Sequence, residues 1–209
     1  MQGGADRFAS RRVVALDATL IAVADTAANR TALPKSRSGR GSGAGHPMIR
    51  LVTLPAASTR SLPAAAVDSD RAGEPSPAAG LIRAMGPDML VLADRGPAST
   101  GMRTLIRSAG SDLLTRVRTG TSALRLDVER VLPDGSWLSN ARGTRVRVID
   151  ARITPTTTGP ERTEHWRSVT SPTDHRRTPA DQLVRLYHER WEIETAYCEL
   201  KSAPGAGRV

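Results

Sequence analysis

The stretch LVRLYHERWEIETAYCELK, residues 183–201, decides how the rest of the chain is read. Thr178, Pro179 and Asp181 ahead of it supply an N-cap, a first-turn proline and an acid three residues past the cap, and Pro204 with Gly205 supplies the stop. The pattern predicts one uninterrupted helix ending at Lys201. On a wheel of about 100° per residue with Tyr187 at zero, Tyr187, Arg190, Glu194, Tyr197 and Lys201 share an arc of about 80°. Leu183, Leu186, Ile193 and Leu200 fall between about 220° and 320° on the same wheel, so the charged stripe overlaps the apolar one. A charge on the core-facing side of a helix is costly unless it is paired or metal-bound. An Arg190–Glu194 pair on a solvated face, worth a few tenths of a kcal/mol, is one explanation, and a functional stripe is the other. Periodicity alone leaves both open.

The chain has 209 residues, of which 39% are hydrophobic, enough for one sizeable domain or one domain with an insertion. Thirty Lys and Arg against 21 Asp and Glu give a net charge of +9, and the pI is about 11.1. A polyanion is the partner this favours, nucleic acid first. No apolar run approaches the roughly 18 to 20 residues of a spanning helix, which excludes membrane-spanning helices. The opening MQGGADRFASRR lacks the apolar core of a secretory signal, and a lone Cys198 permits neither an internal disulfide nor a cysteine-based zinc site. The expectation is a cytoplasmic protein. Aromatics make up only 3%, so the core must be mostly Val, Leu, Ile and Ala, and 18 Gly with 14 Pro imply long loops.

Apolar runs at 11–17 (RRVVALD), 49–54 (IRLVTL) and 89–93 (MLVLA) read as buried strands. Asp94 follows the last of these, before Arg95 and Gly96, a usual place for a site residue in an α/β sheet. Lys35–His46 (KSRSGRGSGAGH) reads as a loop, since no Gly-Lys-Ser/Thr follows its glycines. Residues 55–77 read as a loose connection, 77–85 as a short helix, 99–108 as a helix and 113–117 as the start of a strand. From Arg125 to Ile153 the period becomes two, with Pro133-Asp134-Gly135 as a turn. Arg145, Arg147 and Asp150 would form the wet face of these antiparallel hairpins. Residues 154–178 should hold no strand, because Pro155, Pro160 and Pro172 interrupt them.

The spacing Tyr-x2-Arg-x3-Glu-x6-Lys, met by Tyr187, Arg190, Glu194 and Lys201, resembles the signature helix of DDE transposases of the insertion-sequence-four group. VLADRG around Asp94 is similar to that family's second-Asp motif. VVALDATL around Asp17 is similar to the first, with Ala18 in place of the usual glycine, and ADTAANRTAL around Asp25 resembles the segment that follows it. The resemblance implies a ribonuclease-H-like mixed α/β sheet flanked by helices. The catalytic domain would span 11–201, with a β insertion at about 118–170 before the final helix and truncated flanks at 1–10 and 202–209. It implies Asp17, Asp94 and Glu194 as catalytic, metal-binding carboxylates, and Tyr187, Arg190 and Lys201 as contacts to DNA. The implied cofactor is Mg2+, with Mn2+ as a substitute. The implied partners are double-stranded DNA, as transposon ends and target, and a second copy of the chain in a homodimer. Two such ions about 3.5 to 4 Å apart serve metal-dependent cleavage and strand transfer by activating the attacking oxygen and stabilising the leaving one.

The departures from the family pattern are Pro97, where an aromatic is usual, and the strand before the final helix, which reads HWRSVTSPTD (165–174) with Pro172 inside. They define the alternative: an inactive transposase remnant that only binds DNA, with little or no transposition by this chain alone. His46, His165, His175 and His188 show no repeated metal spacing, Cys198 and Trp191 read as core, and Asp25 suits a turn or cap as well as a site.

Overall fold

The computed structural model describes residues 7–33, 46–56, 61–69, 80–94, 100–119, 124–154 and 163–190. Strands β1 (Arg7–Phe8), β2 (Arg11–Ala22), β3 (Met48–Thr53), β4 (Ala65–Ser69), β5 (Met89–Ala93), β6 (Asp112–Val117), β7 (Arg130–Val131), β8 (Trp137–Ala141), β9 (Thr144–Ile153) and β10 (Glu164–Thr170) form one sheet. Its order is β4-β3-β2-β5-β6-β10-β9-β8-β7, with β1 paired to β2. The β2–β5 and β5–β6 pairs are parallel and the rest antiparallel. Helices are α1 (Ala27–Ala32), α2 (Thr100–Ser108) and α3 (180–190), and Ile82–Ala84 makes a single 3-10 turn. This is the expected mixed α/β sheet flanked by helices. Among the described residues no helix is long and apolar enough to cross a membrane.

All five residues of β5 are buried, as a strand covered on both faces requires. Alternation along β2 and β5 splits the core in two. Val14, Leu16, Val91 and Ala93 pack with Met102 and Ile106 of α2, whereas Val13, Ala15, Leu90 and Leu92 pack with Leu183, Leu186 and Tyr187 of α3.

Several expectations need correction. The stretch taken as strand-free contains β10, which lies between β6 and β9. Pro172 falls two residues beyond its end, where its missing N–H costs no ladder bond, so it does not weaken the strand beneath α3. The loose connection 55–77 contains β4; of the short helix expected at 77–85, residues 80–84 are helical and 77–79 lie outside the described residues. In 125–131 only Arg130–Val131 is strand. The 118–170 stretch adds β7 to β10 to the same sheet, β10 pairing directly with β6.

Arg147 departs furthest from expectation: it is fully buried, 0% exposed, and not on a wet face. Val146 and Val148 fill one side of β9, while Arg147 and Ile149 lie on the side covered by α3. The Arg147 guanidinium donates from Nε to Ser136 Oγ (2.7 Å) and from one terminal nitrogen to the Thr178 carbonyl (2.6 Å) and hydroxyl (3.1 Å). Its other terminal nitrogen pairs with Asp134. Gly135 makes the Asp134 turn with φ +80°. Thr178 was expected to cap α3, but its hydroxyl donates to the Asp174 carbonyl at 2.7 Å. Asp134 takes the capping role, accepting the Ala180 N–H at 3.1 Å from across the structure. Burial pushes the Asp134 carboxyl up, but the Ser136 hydrogen bonds, the Arg147 charge and the Ala180 N–H outweigh it and leave it below the usual range.

At the β8–β9 turn Arg142 (φ +54°) and Gly143 (φ +86°) are both left-handed, a two-residue hairpin closed by the Gly143 N–H donating to Asn140 Oδ1 at 2.6 Å. Gly143 suits that backbone. Arg142, with a Cβ, is there at a cost of about 1 kcal/mol.

Candidate carboxylate site at the parallel strands

The register of β2 and β5 places Leu16 beside Ala93, so Asp17 and Asp94 are the next residues along two adjacent parallel strands. Backbones of neighbouring strands lie about 4.8 Å apart. By alternation Asp17 falls in line with Val13 and Ala15, and Asp94 with Leu90 and Leu92, which is the face that α3 covers. Two residues 77 positions apart in sequence thus meet at one place on one face.

Asp94 is gripped from α3. The Tyr187 hydroxyl, buried with only 5% of the residue exposed, lies 3.2 Å from the Ala93 carbonyl and 3.3 Å from Asp94 Oδ1, and its one proton is shared between them. Burial pushes this phenol up to about 12, and the neighbouring Asp94 carboxylate adds to the shift while Arg190 opposes it. Arg190, buried at 7%, places a guanidinium nitrogen 3.9 Å from Asp94 Oδ2 and its carbon 5.6 Å from the Tyr187 ring centre. The Asp94 side chain is still 45% exposed, so solvent and ligands reach it.

Trp166 of β10 meets the Tyr187 ring edge-on at 6.0 Å, and the Arg116 guanidinium stacks on Trp166 at 4.1 Å. Sequence reasoning missed Trp166, because it placed no strand there, and it missed the part of Arg116, which lies in the strand read at 113–117, because only the β6–β10 pairing brings it to Trp166. It also missed Thr53, the register partner of Asp17 on β3. Thr53 is 0% exposed, and among the described residues its Oγ1 has no hydrogen-bond partner. A side chain directly opposite on an antiparallel pair lies on the same face, so an unsatisfied hard oxygen stands beside the Asp17 carboxylate. Two carboxylates and a hydroxyl are donors that fit a hard divalent cation.

Of the residues singled out in the sequence, Asp17, Asp94, Tyr187 and Arg190 come together on one face of the sheet. Glu194 and Lys201 lie outside the described residues, as do Trp191, Tyr197 and Cys198. Among the described residues no group of three or more His, Cys, Asp and Glu gathers. His165 lies 3.5 Å from Asp150 and His188 packs against Trp166, while Asp25 pairs with Arg30 at 3.5 Å, next to Thr26, which caps α1.

The family model described as "Transposase DDE domain" matches residues 8–209. The chain belongs to the DDE transposase family. Among curated proteins it is similar to the transposase InsG for insertion sequence element IS4 of Escherichia coli (strain K12), with 27% identity over 207 residues, 94% of this chain. The chain spans 46% of that relative's length. Among solved structures it is similar to a piggyBac transposase in a synaptic complex with hairpin DNA, at TM-score 0.54 and 12% identity, covering 91% of this chain and 40% of the other. That likeness is one of fold, and it is consistent with the ribonuclease-H-like arrangement expected. In this DDE transposase chain the Asp17 and Asp94 motifs are therefore neighbours in space as well as in family pattern.

Proposed function

We propose that residues 11–201 are the catalytic domain of a DNA transposase, acting on double-stranded DNA at transposon ends and target by metal-dependent cleavage and strand transfer. The observation that carries this is the meeting of Asp17 and Asp94 on the face covered by α3, with Tyr187 and Arg190 of the same helix on Asp94. Asp17, Asp94 and Glu194 would hold Mg2+, or Mn2+ in its place, with Thr53 as a further oxygen beside Asp17. Bound ions would supply activation of the attacking oxygen and stabilisation of the leaving one. Tyr187 spends its hydroxyl proton on Asp94 and the strand end, so its part is to fix that carboxylate. Arg190 would supply positive charge beside Asp94 for a scissile phosphate, and the family motif assigns Lys201 a contact to DNA. The protein would act in the cytoplasm, where it meets DNA.

Of the departures behind the remnant reading, Pro172 lies beyond β10 and does not weaken the strand under α3, while Pro97 lies outside the described residues. Incubation of the purified chain with Mg2+ or Mn2+ and a plasmid carrying its flanking repeats is the test. Strand cleavage should appear and vanish in Asp94→Asn and Glu194→Ala. Cleavage that persists in both variants, or none with either metal, overturns the proposal.

A further inference from the structure

A cavity lined by three arginines lies on the other face of the sheet. The turn at Ala141–Thr144 and helix α2 enclose a cavity of about 350 Å³. Arg103, Arg107 and Arg142 stand around it with hydroxyls that include Thr104 and Thr144, over a floor of Leu113 and Val146. None of the described residues lining it is acidic. Asp112, the nearby carboxylate, is committed elsewhere: it pairs with Arg11, accepts from Arg107 at 2.9 Å and accepts the Ser171 hydroxyl at 2.7 Å. Burial, and then the like charge of Arg142, lowers the Arg103 guanidinium below its ordinary range, so two cations face one cavity. Arg142 also occupies a left-handed turn position that glycine or asparagine would fill without strain. Strain of this kind, kept where a plain turn residue would serve better, points to a task for that side chain.

The cavity lies on the opposite face of the sheet from Asp94. It lies by the start of β6, the end of β10 and the beginning of β9, at the edge opposite the one where β5 ends in Asp94. Its helix, α2, covers the face opposite α3. A DNA segment bound at Asp17 and Asp94 would leave this pocket free for another stretch of backbone. We propose that the Arg103–Arg107–Arg142 pocket binds phosphate oxygens and holds the backbone of a second DNA segment, distinct from the one presented to Asp17 and Asp94. The guanidinium fork and the hydroxyl donors suit a phosphodiester, while the apolar floor accepts the adjoining sugar. The inference rests on the DNA-handling reading above.

The experiment reads arginine modification by phenylglyoxal, located by mass spectrometry, on the full chain with metal chelated. The probes are a DNA duplex and inorganic phosphate at matched phosphate concentration. The duplex should protect Arg103 and Arg142, and inorganic phosphate should not. In parallel, Arg103→Gln with Arg142→Gln should lower the slope of log affinity against log salt by about 1.8, at ~0.9 for each phosphate that is no longer neutralised. The footprint uses the unaltered chain, so a folding failure of the variant leaves the test intact. Protection by inorganic phosphate with none from the duplex overturns the DNA assignment, and protection by neither overturns the site. With metal chelated, these outcomes do not depend on whether the chain cleaves DNA.

Discussion

Helix α3 meets two buried arginines, one at each end of its described length, and they are held in opposite ways. At its start Arg147 is 0% exposed, and every partner around it is also satisfied: Ser136 passes its own proton to Asp134, Thr178 passes its to Asp174, and Asp134 caps Ala180. At the other end Arg190 is 7% exposed but faces Asp94 across 3.9 Å, and that carboxylate is almost half open to solvent. The first arrangement is closed and fixes where the helix begins. The second is long and open on one side, which a carboxylate needs if it is to take a cation. Burial of the arginine does not distinguish the two. The saturation of its partners does.

The largest expected effect follows from breaking the closed end. Arg147→Met leaves Asp134 and the Thr178 carbonyl without their main donor, and should cost about 3 kcal/mol, lowering the thermal midpoint by roughly 6 to 12 °C. The same cluster gives a pH signature. Asp134 is depressed in the folded state, so its contribution is present above the ordinary carboxylate value near 3.9 and is lost as pH falls through the folded value. Acid unfolding of Asp134→Asn should therefore be shallower below about pH 4 than that of the unaltered chain.

The open end should respond less in stability and more in the site. Tyr187→Phe removes one hydroxyl from a buried contact and should cost about 1 kcal/mol. The phenol is raised from 10.0 to about 12, so its contribution is complete below the unfolded value near 10 and disappears as pH climbs toward 12. In an ultraviolet titration the variant should lack the component that ionises last, and its alkaline unfolding should be less steep. If the component lost in the variant ionises near 10 and not near 12, Tyr187 is not the buried phenol described here.

The smallest effect belongs to neither end. Arg167 and Asp150, cross-strand partners on β10 and β9 joined by two hydrogen bonds at 2.6 and 2.7 Å, are both partly exposed. Arg167→Ala should cost no more than about 1 kcal/mol, and the difference should shrink in 1 M salt, where the Debye length is about 3 Å.

These contrasts also mark what the sequence made legible. MLVLA gave β5 to the residue, because an unbroken five-residue apolar run has few other places to go. The start of α3 was legible through Thr178 and Pro179, but its cap comes from Asp134, 46 residues earlier, and no local pattern carries that. Arg147 was misplaced because Arg and Val alternate there as they would on a half-wet strand. The signal against that reading is Ile149, which follows Val148 and shows that both faces of β9 are covered. β10 was hidden by the prolines around it, and with it went Trp166 and the stacking of Arg116 upon it. Asp17 and Asp94 were legible from the family motifs, whereas Thr53 was not, since only the β2–β3 register brings it beside Asp17.

The most direct test of the site is Mn2+ binding to the whole chain without DNA, followed by electron paramagnetic resonance. The account predicts saturable binding by the unaltered chain that weakens at least tenfold in both Asp17→Asn and Asp94→Asn. Equal Mn2+ affinity in the unaltered chain and both variants would contradict it.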